Sequence, residues 1–283
     1  MTVKEATSLL SRLRRSKALS GGTDLLVEGD DTITTIVDLN RLPLRYIRED
    51  RGSVLIGATT TIREIEFSPL FRKAPLDILY DAVRDFGTVQ VRNMASLGGN
   101  LCNGVPSADT PPSLIALDAV IMITGRRGRR SIPLEKLYRH VRKLSIRRGE
   151  ILTEVRIPRQ LPNTFGTYLR LTRSHVDISV VSAAVRITVD KDRGIEDCRI
   201  VLGAVAPTPL RSIRAENYLR GKTIDSVSFT EAGQIASRET RPITDIRASA
   251  DYRRSMAAVL VERAIRTAIS KSGKRILVEE DSN

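Results

Sequence analysis

Two pairs of adjacent glycines set the narrowest limits on this chain. Ser20-Gly21-Gly22-Thr23-Asp24 directly follows a short strand pattern, Lys17 to Ser20. Ala95-Ser96-Leu97-Gly98-Gly99-Asn100 lies in a loop-rich stretch that runs from Gln90 to Asn103. Adjacent glycines let the backbone take positive φ and let another group come close. Successive amide N–H groups in such a turn form a nest for an anion, and the side chains of Ser20, Thr23, Ser96 and Asn100 can add hydrogen bonds. One Gly-Gly pair more often marks a plain tight turn. Two pairs flanked in this way suit the diphosphate of a dinucleotide. The sequence has neither a G-x-x-x-x-G-K-[S/T] loop nor a G-x-G-x-x-G opening a crossover helix, which disfavours a Rossmann site.

The rest of the chain supplies an α+β frame. Residues 2 to 15 carry Val3, Ala6, Leu9, Leu10 and Leu13 at helical spacing, with Thr2 and Glu5 as a capping box. Thr35 to Leu39 is a β-branched strand, and Leu44 to Arg48 with Val54 to Ala58 reads as a hairpin. Thr61 and Glu64 repeat the capping pattern. Leu70 to Phe86 predicts one helix with Pro75 near its start. Pro106 to Leu117 is a turn entering a short helix, and Ala119 to Thr124 with Arg129 to Ile132 is a second hairpin. The Pro-containing stretch Pro158 to Asn163 is a boundary. Beyond it come three antiparallel strands, Gly166 to Arg173, Ile178 to Asp190 and Ile195 to Ala206. Helices follow at Ser212 to Arg220, Thr230 to Glu239 and Asp251 to Ser270, the last with Gly273 as its stop signal.

Composition closes several routes. The two cysteines, Cys102 and Cys198, are too few for a zinc or iron–sulfur site, and His140 and His175 sit in no catalytic motif; no metal ligand and no catalytic residue is assigned. The net charge of +13 attracts anions. The clusters Arg126/Arg127/Arg129/Arg130 and Arg142/Lys143/Arg147/Arg148 contain no aromatic side chain and the chain has no Trp, so nucleic-acid binding is disfavoured and a solvated basic surface is expected. There is neither a membrane-length apolar run nor a signal-peptide pattern, so a cytoplasmic protein is expected.

The stretch Gly87-Thr88-Val89-Gln90-Val91-Arg92-Asn93-Met94-Ala95-Ser96-Leu97-Gly98-Gly99-Asn100-Leu101 is followed by Pro106-Ser107-Ala108-Asp109-Thr110-Pro111 and by Leu114 to Ala119. It closely resembles the FAD-binding medium subunit of the xanthine and carbon monoxide dehydrogenase (molybdenum hydroxylase) family. Ser20 to Leu26, Leu55 to Thr61, Glu150 to Pro158, Leu202 to Arg211 and Ala250 to Arg254 are similar to further family landmarks in the same order.

The resemblance implies a two-subdomain FAD cradle of the vanillyl-alcohol-oxidase type, residues 1–52 and 53–160, and a C-terminal α+β domain, 161–283. It places the pyrophosphate of a non-covalent FAD on Ser20, Gly21, Gly22, Thr23 and Asp24 and on Ser96, Leu97, Gly98, Gly99 and Asn100. Asn103 and Asp109 are expected at the ribose or phosphates, Leu152 near the flavin and Phe86 near the adenine. From the residues alone, Leu152 and Phe86 read as core and Asp109 equally as a helix N-cap. Arg170 of Tyr168-Leu169-Arg170 stands where the family often has Lys near the flavin; a planar fork does not replace an ammonium, so the redox potential is expected to differ. The implied partners are a large molybdopterin-binding subunit and a small 2Fe–2S subunit in a dimer of heterotrimers, with NAD or another molecule as final acceptor. A stand-alone flavin oxidoreductase of the same fold is the second reading and a basic nucleic-acid-binding protein a distant third.

Overall fold

The structure, a computed structural model, describes residues 1–280, with side chains described through Ser272. It is α+β, and its contacts divide it into two units, each assembled from three segments. No helix among the described residues is long and apolar enough to cross a membrane.

The first unit comprises Met1–Ser68, Phe86–Val105 and Asp118–Arg159. It opens with the helix Val3–Arg12, whose Thr2–Glu5 capping box forms as expected. The strands Ser16–Leu19 and Thr35–Asp38 pair in parallel. Ala6, Leu10, Val37, Leu39, Leu42, Leu44 and Ile151 form the small core beneath them. A five-stranded antiparallel sheet follows, in the order Ile47–Asp50, Ser53–Gly57, Ile151–Ile157, Val120–Gly125, Gly128–Pro133. The first hairpin turns at Arg51-Gly52, where both residues have positive φ, as a tight two-residue turn requires.

The second unit comprises Pro69–Asp85, Pro106–Leu117 and Gln160–Asn283. Its antiparallel sheet runs Thr164–Leu171, Val181–Val189, Ile195–Gly203, Leu210–Arg211. Val181–Val189 is buried along its whole length, on a core shared with the helices Ile213–Leu219, Phe229–Glu239 and Ala250–Glu280.

Three local expectations are corrected. Leu70 to Phe86 is not one helix: a 3-10 turn, Pro69–Arg72, is separated from the helix Asp77–Val83. Pro75 lacks an N–H and restricts the residue before it, so a helix cannot run through it. The stretch from Gln90 to Asn103 is not loop-rich but holds two helices, Val89–Met94 and Leu97–Asn103. Thr88 and Ser96 cap them by accepting hydrogen bonds from the N–H groups of Val91 and Gly99. Gly273 does not end the last helix, which continues to Glu280; one glycine costs about 1 kcal/mol of helix propensity, too little to stop a helix of that length.

Candidate functional site

Both glycine motifs fall in the first unit, and they touch. The first leaves the end of the strand Ser16–Leu19 and is pinned by Asn40, whose Nδ2 donates to the Ser20 carbonyl at 3.1 Å and to Asp38 Oδ1 at 2.8 Å. A Cβ on Gly21 would overlap the Met94 carbonyl oxygen and lie 2.8 Å from Ala95 Cα. Only glycine therefore lets this turn rest on the backbone that leads into the second motif. Gly22 has a φ of 72°, a conformation that glycine adopts without strain.

The second motif is not a positive-φ turn. Gly98 and Gly99 occupy the first turn of the helix Leu97–Asn103, and its first N–H groups are already bonded. The Leu97 N–H donates to Thr60 O at 2.9 Å, that of Gly98 to Ala58 O at 2.8 Å and that of Asn100 to Ser96 O at 2.9 Å; that of Gly99 donates to Ser96 Oγ at 3.1 Å. A Cβ on Gly98 would lie 2.7 Å from the Ala58 oxygen and 2.8 Å from its Cβ, so glycine there serves the contact with Ala58. A Cβ on Gly99 would meet only the Ser96 hydroxyl, at 2.9 Å, and otherwise open space.

That space is a cavity of about 330 Å³, bordered among others by Ser20, Gly22, Thr23, Asp24, Phe86, Ser96, Gly99, Asn100 and Asn103. A second cavity, about 440 Å³, is bordered by Gly98, Gly99, Leu152, Leu10, Leu39, Leu144 and Ile146. The two share Lys17, Ala18, Ser20, Gly99, Cys102 and Arg142, and each is of a size typical for a cofactor site. Among the described residues, the backbone N–H groups of Gly22, Thr23, Asp24 and Leu25 make no hydrogen bond, and all four residues border the first cavity. Four such donors beside open space suit the oxygens of a diphosphate. Burial and the neighbouring Glu28 carboxylate raise the Asp24 pKa, against the charge of Arg142. Glu28 is itself held low by its hydrogen bonds with Arg142, a bidentate pair at 2.7 and 2.5 Å.

Eleven of the fifteen site residues read from the sequence therefore border these cavities, while Gly21 and Leu97 belong to the frame that holds the motifs. Asp109 and Arg170 lie in the second unit and bond to one another at 3.3 Å. Asp109 precedes the helix Thr110–Ala116, but its side chain does not cap it. Its carboxylate instead accepts from the hydroxyls of Tyr168 and Ser179, each at 2.6 Å. Burial raises its pKa, against the Arg170 charge and these donors. The Arg170 guanidinium also donates to the carbonyls of Asp85 and His175. Sequence reading missed Lys17, Thr59, Cys102, Arg142, Arg147 and Arg148 as cavity residues. The signal available was the basic cluster that ends just before the strand Ile151–Ile157, there taken as solvated surface.

The site is thus a pair of cavities with shared walls in an α+β fold, one of them bordered by residues with unbonded backbone N–H groups. Residues 1–160 match the family model described as the FAD binding domain in molybdopterin dehydrogenase, and residues 166–268 match the CO dehydrogenase flavoprotein C-terminal domain. The chain is 32% identical to the carbon monoxide dehydrogenase medium chain of Hydrogenophaga pseudoflava, over 94% of each chain. It is 28% identical to the putative xanthine dehydrogenase FAD-binding subunit of Escherichia coli K12, over 97% of this chain and 96% of that one. A solved structure of carbon monoxide dehydrogenase from Hydrogenophaga pseudoflava superposes with a TM-score of 0.90, covering 95% of each chain at 32% identity. The chain belongs to the FAD-binding medium-subunit family of the molybdenum hydroxylases. It is an oxidoreductase component whose cofactor is FAD.

Proposed function

We propose that FAD occupies the two cavities of the first unit and that the chain acts as the electron relay of a three-subunit molybdenum hydroxylase. The observation that carries the reading is the row of unbonded N–H groups from Gly22 to Leu25, whose residues border the same cavity as Gly99. Ser20 to Asp24 then bind the pyrophosphate, with Ser96, Gly99 and Asn100 opposite. Phe86 and Asn103 border the adenosine half, and Leu152 with its apolar neighbours borders the flavin ring. Asp109 and Arg170 enter as cofactor residues through the family resemblance.

Bound FAD supplies a carrier that takes up and releases electrons. The chain's own contribution is to bind and orient it: the amides offset the diphosphate charge, and the apolar wall keeps water from one part of the cavity. Electrons arrive from a 2Fe–2S cluster on a small partner subunit and leave to NAD⁺ or another acceptor, while substrate is oxidised on a large molybdopterin subunit. No general acid or base is required of this chain. The test is the visible spectrum of the purified full chain before and after addition of FAD, followed by anaerobic substrate reduction of the co-purified complex. A chain that neither carries nor takes up flavin refutes the cradle. A flavin band that stays unbleached after the clusters are reduced refutes the relay.

A further inference from the structure

The run Thr59-Thr60-Thr61 follows the strand Ser53–Gly57, and two of its three hydroxyls are satisfied within the protein. Thr60 Oγ1 accepts from the Tyr46 N–H and donates to the Tyr46 carbonyl, both at 3.0 Å. Thr61 Oγ1 bonds to Glu64 as the cap of the helix Ile62–Phe67. Thr59 differs. The residue is only 4% exposed, and its Oγ1 is buried without a hydrogen-bond partner among the described residues. Its backbone N–H is tied to Leu44 O at 2.9 Å, and the flanking Ala58 and Thr60 amides are bonded to Thr153 O and Gly57 O, so the main chain here is held in place.

A buried hydroxyl left without a bond is unfavourable, and valine would fill nearly the same volume without that penalty. Thr59 borders the second cavity, directly after Ala58, on which Gly98 rests. The wall there carries Leu10, Leu39, Leu144, Ile146 and Leu152 beside the cations Lys17, Arg142, Arg147 and Arg148, and its apolar part suits a flat ring. We propose that Thr59 is a cofactor-binding residue whose hydroxyl completes its hydrogen bonding on the flavin half of FAD, at a ring acceptor or a ribityl hydroxyl. This assignment rests on the reading that FAD fills these cavities.

The experiment uses the full chain, stripped of flavin, with Thr59→Val and Thr59→Ser. FAD binding is followed by flavin fluorescence, the bound flavin by its absorption bands, and each apoprotein by its thermal melt. Removing one neutral hydrogen bond weakens binding about fivefold, equivalent to about 1 kcal/mol. Thr59→Val is expected to show that loss together with shifted flavin bands, while its apoprotein melts at or above the wild-type temperature because an unbonded polar atom has gone. Thr59→Ser, which keeps the hydroxyl, is expected to stay within about twofold of wild type. Thr59→Val with wild-type affinity and spectrum overturns the assignment, as does an equal loss in both variants, which would mark the methyl as the group that matters. A wild-type chain that takes up no FAD overturns the cradle and this assignment with it.

Discussion

Gly98 and Gly99 are neighbours in the helix Leu97–Asn103, yet substitutions at the two should separate folding from cofactor binding. A methyl at Gly98 would sit 2.7 Å from Ala58 O and 2.8 Å from Ala58 Cβ. That carbonyl accepts the Gly98 N–H at 2.8 Å, so neither side can retreat without breaking the bond. Overpacking of this kind costs about 1–3 kcal/mol, which lowers the melting temperature by roughly 3–10 °C in a domain of this size. Position 99 is different. It is the third residue of the helix, where a carboxylate is favoured by the helix dipole, and a side chain there would press on the Ser96 hydroxyl at 2.9 Å before meeting open space. Gly99→Asp should therefore fold with little loss, at most the ~1 kcal/mol that disturbing the Ser96 cap would cost. Its carboxylate would face the cofactor diphosphate; at a separation of about 5 Å the repulsion is about 1–3 kcal/mol for an effective dielectric between 80 and 20. FAD affinity should fall by roughly 5- to 150-fold. Thermal melts of the apoproteins and FAD titrations of each variant provide the measurement. Gly99→Asp that folds and binds FAD like wild type would refute the cradle. Gly98→Ala that leaves the melt unchanged would refute the packing reason given for that glycine.

Arg142→Gln should weaken FAD binding severalfold at low salt and less at high salt, because Arg142 is a half-exposed charge bordering both cavities; titrations across ionic strength test this. Asp109→Ala should destabilise the second unit by about 3–5 kcal/mol, read by denaturant melts, because it leaves the buried Arg170 without its ionic partner and two hydroxyls without their acceptor. Burial works to raise the Asp245 pKa, but hydrogen bonds from the Arg247 N–H, Arg253 and the Ala248 N–H bring it down to about 2. Its stabilising contribution is complete above the ordinary aspartate value and is lost as pH falls through about 2. Melting temperatures of wild type and Asp245→Asn should accordingly differ at neutral pH and converge in strong acid.

The parts of the fold that were legible are those whose cause is local. The capping boxes of Thr2–Glu5 and Thr61–Glu64 close over three residues, and the first hairpin needs only a two-residue turn with Gly52 at positive φ. The helix Leu97–Asn103 was hidden because glycine argues against a helix, and the bonds that offset that preference come from far along the chain, from Thr60 and Ala58. Asp109 has the position of a cap but serves Tyr168, Ser179 and Arg170, which lie some sixty or more residues further on. Arg142, Arg147 and Arg148 read as surface charge because nothing in their own neighbourhood reveals a cavity.

Pattern matching treats the two glycine pairs as equivalent, whereas the structure gives each of the four glycines its own reason. Gly21 and Gly98 are excluded from having a side chain by protein backbone, Met94–Ala95 in one case and Ala58 in the other, and they fix how the motifs meet the rest of the unit. Gly22 turns the chain so that the following N–H groups stay unbonded beside the cavity. Gly99 alone faces open space. On the proposed reading the motifs divide the work: the first offers donors, and the second, whose own N–H groups are already bonded, leaves room for the group that those donors would hold. A site built this way can bind a diphosphate without the crossover helix of a Rossmann fold, because its donors come from the turn and its clearance from a different segment of the chain.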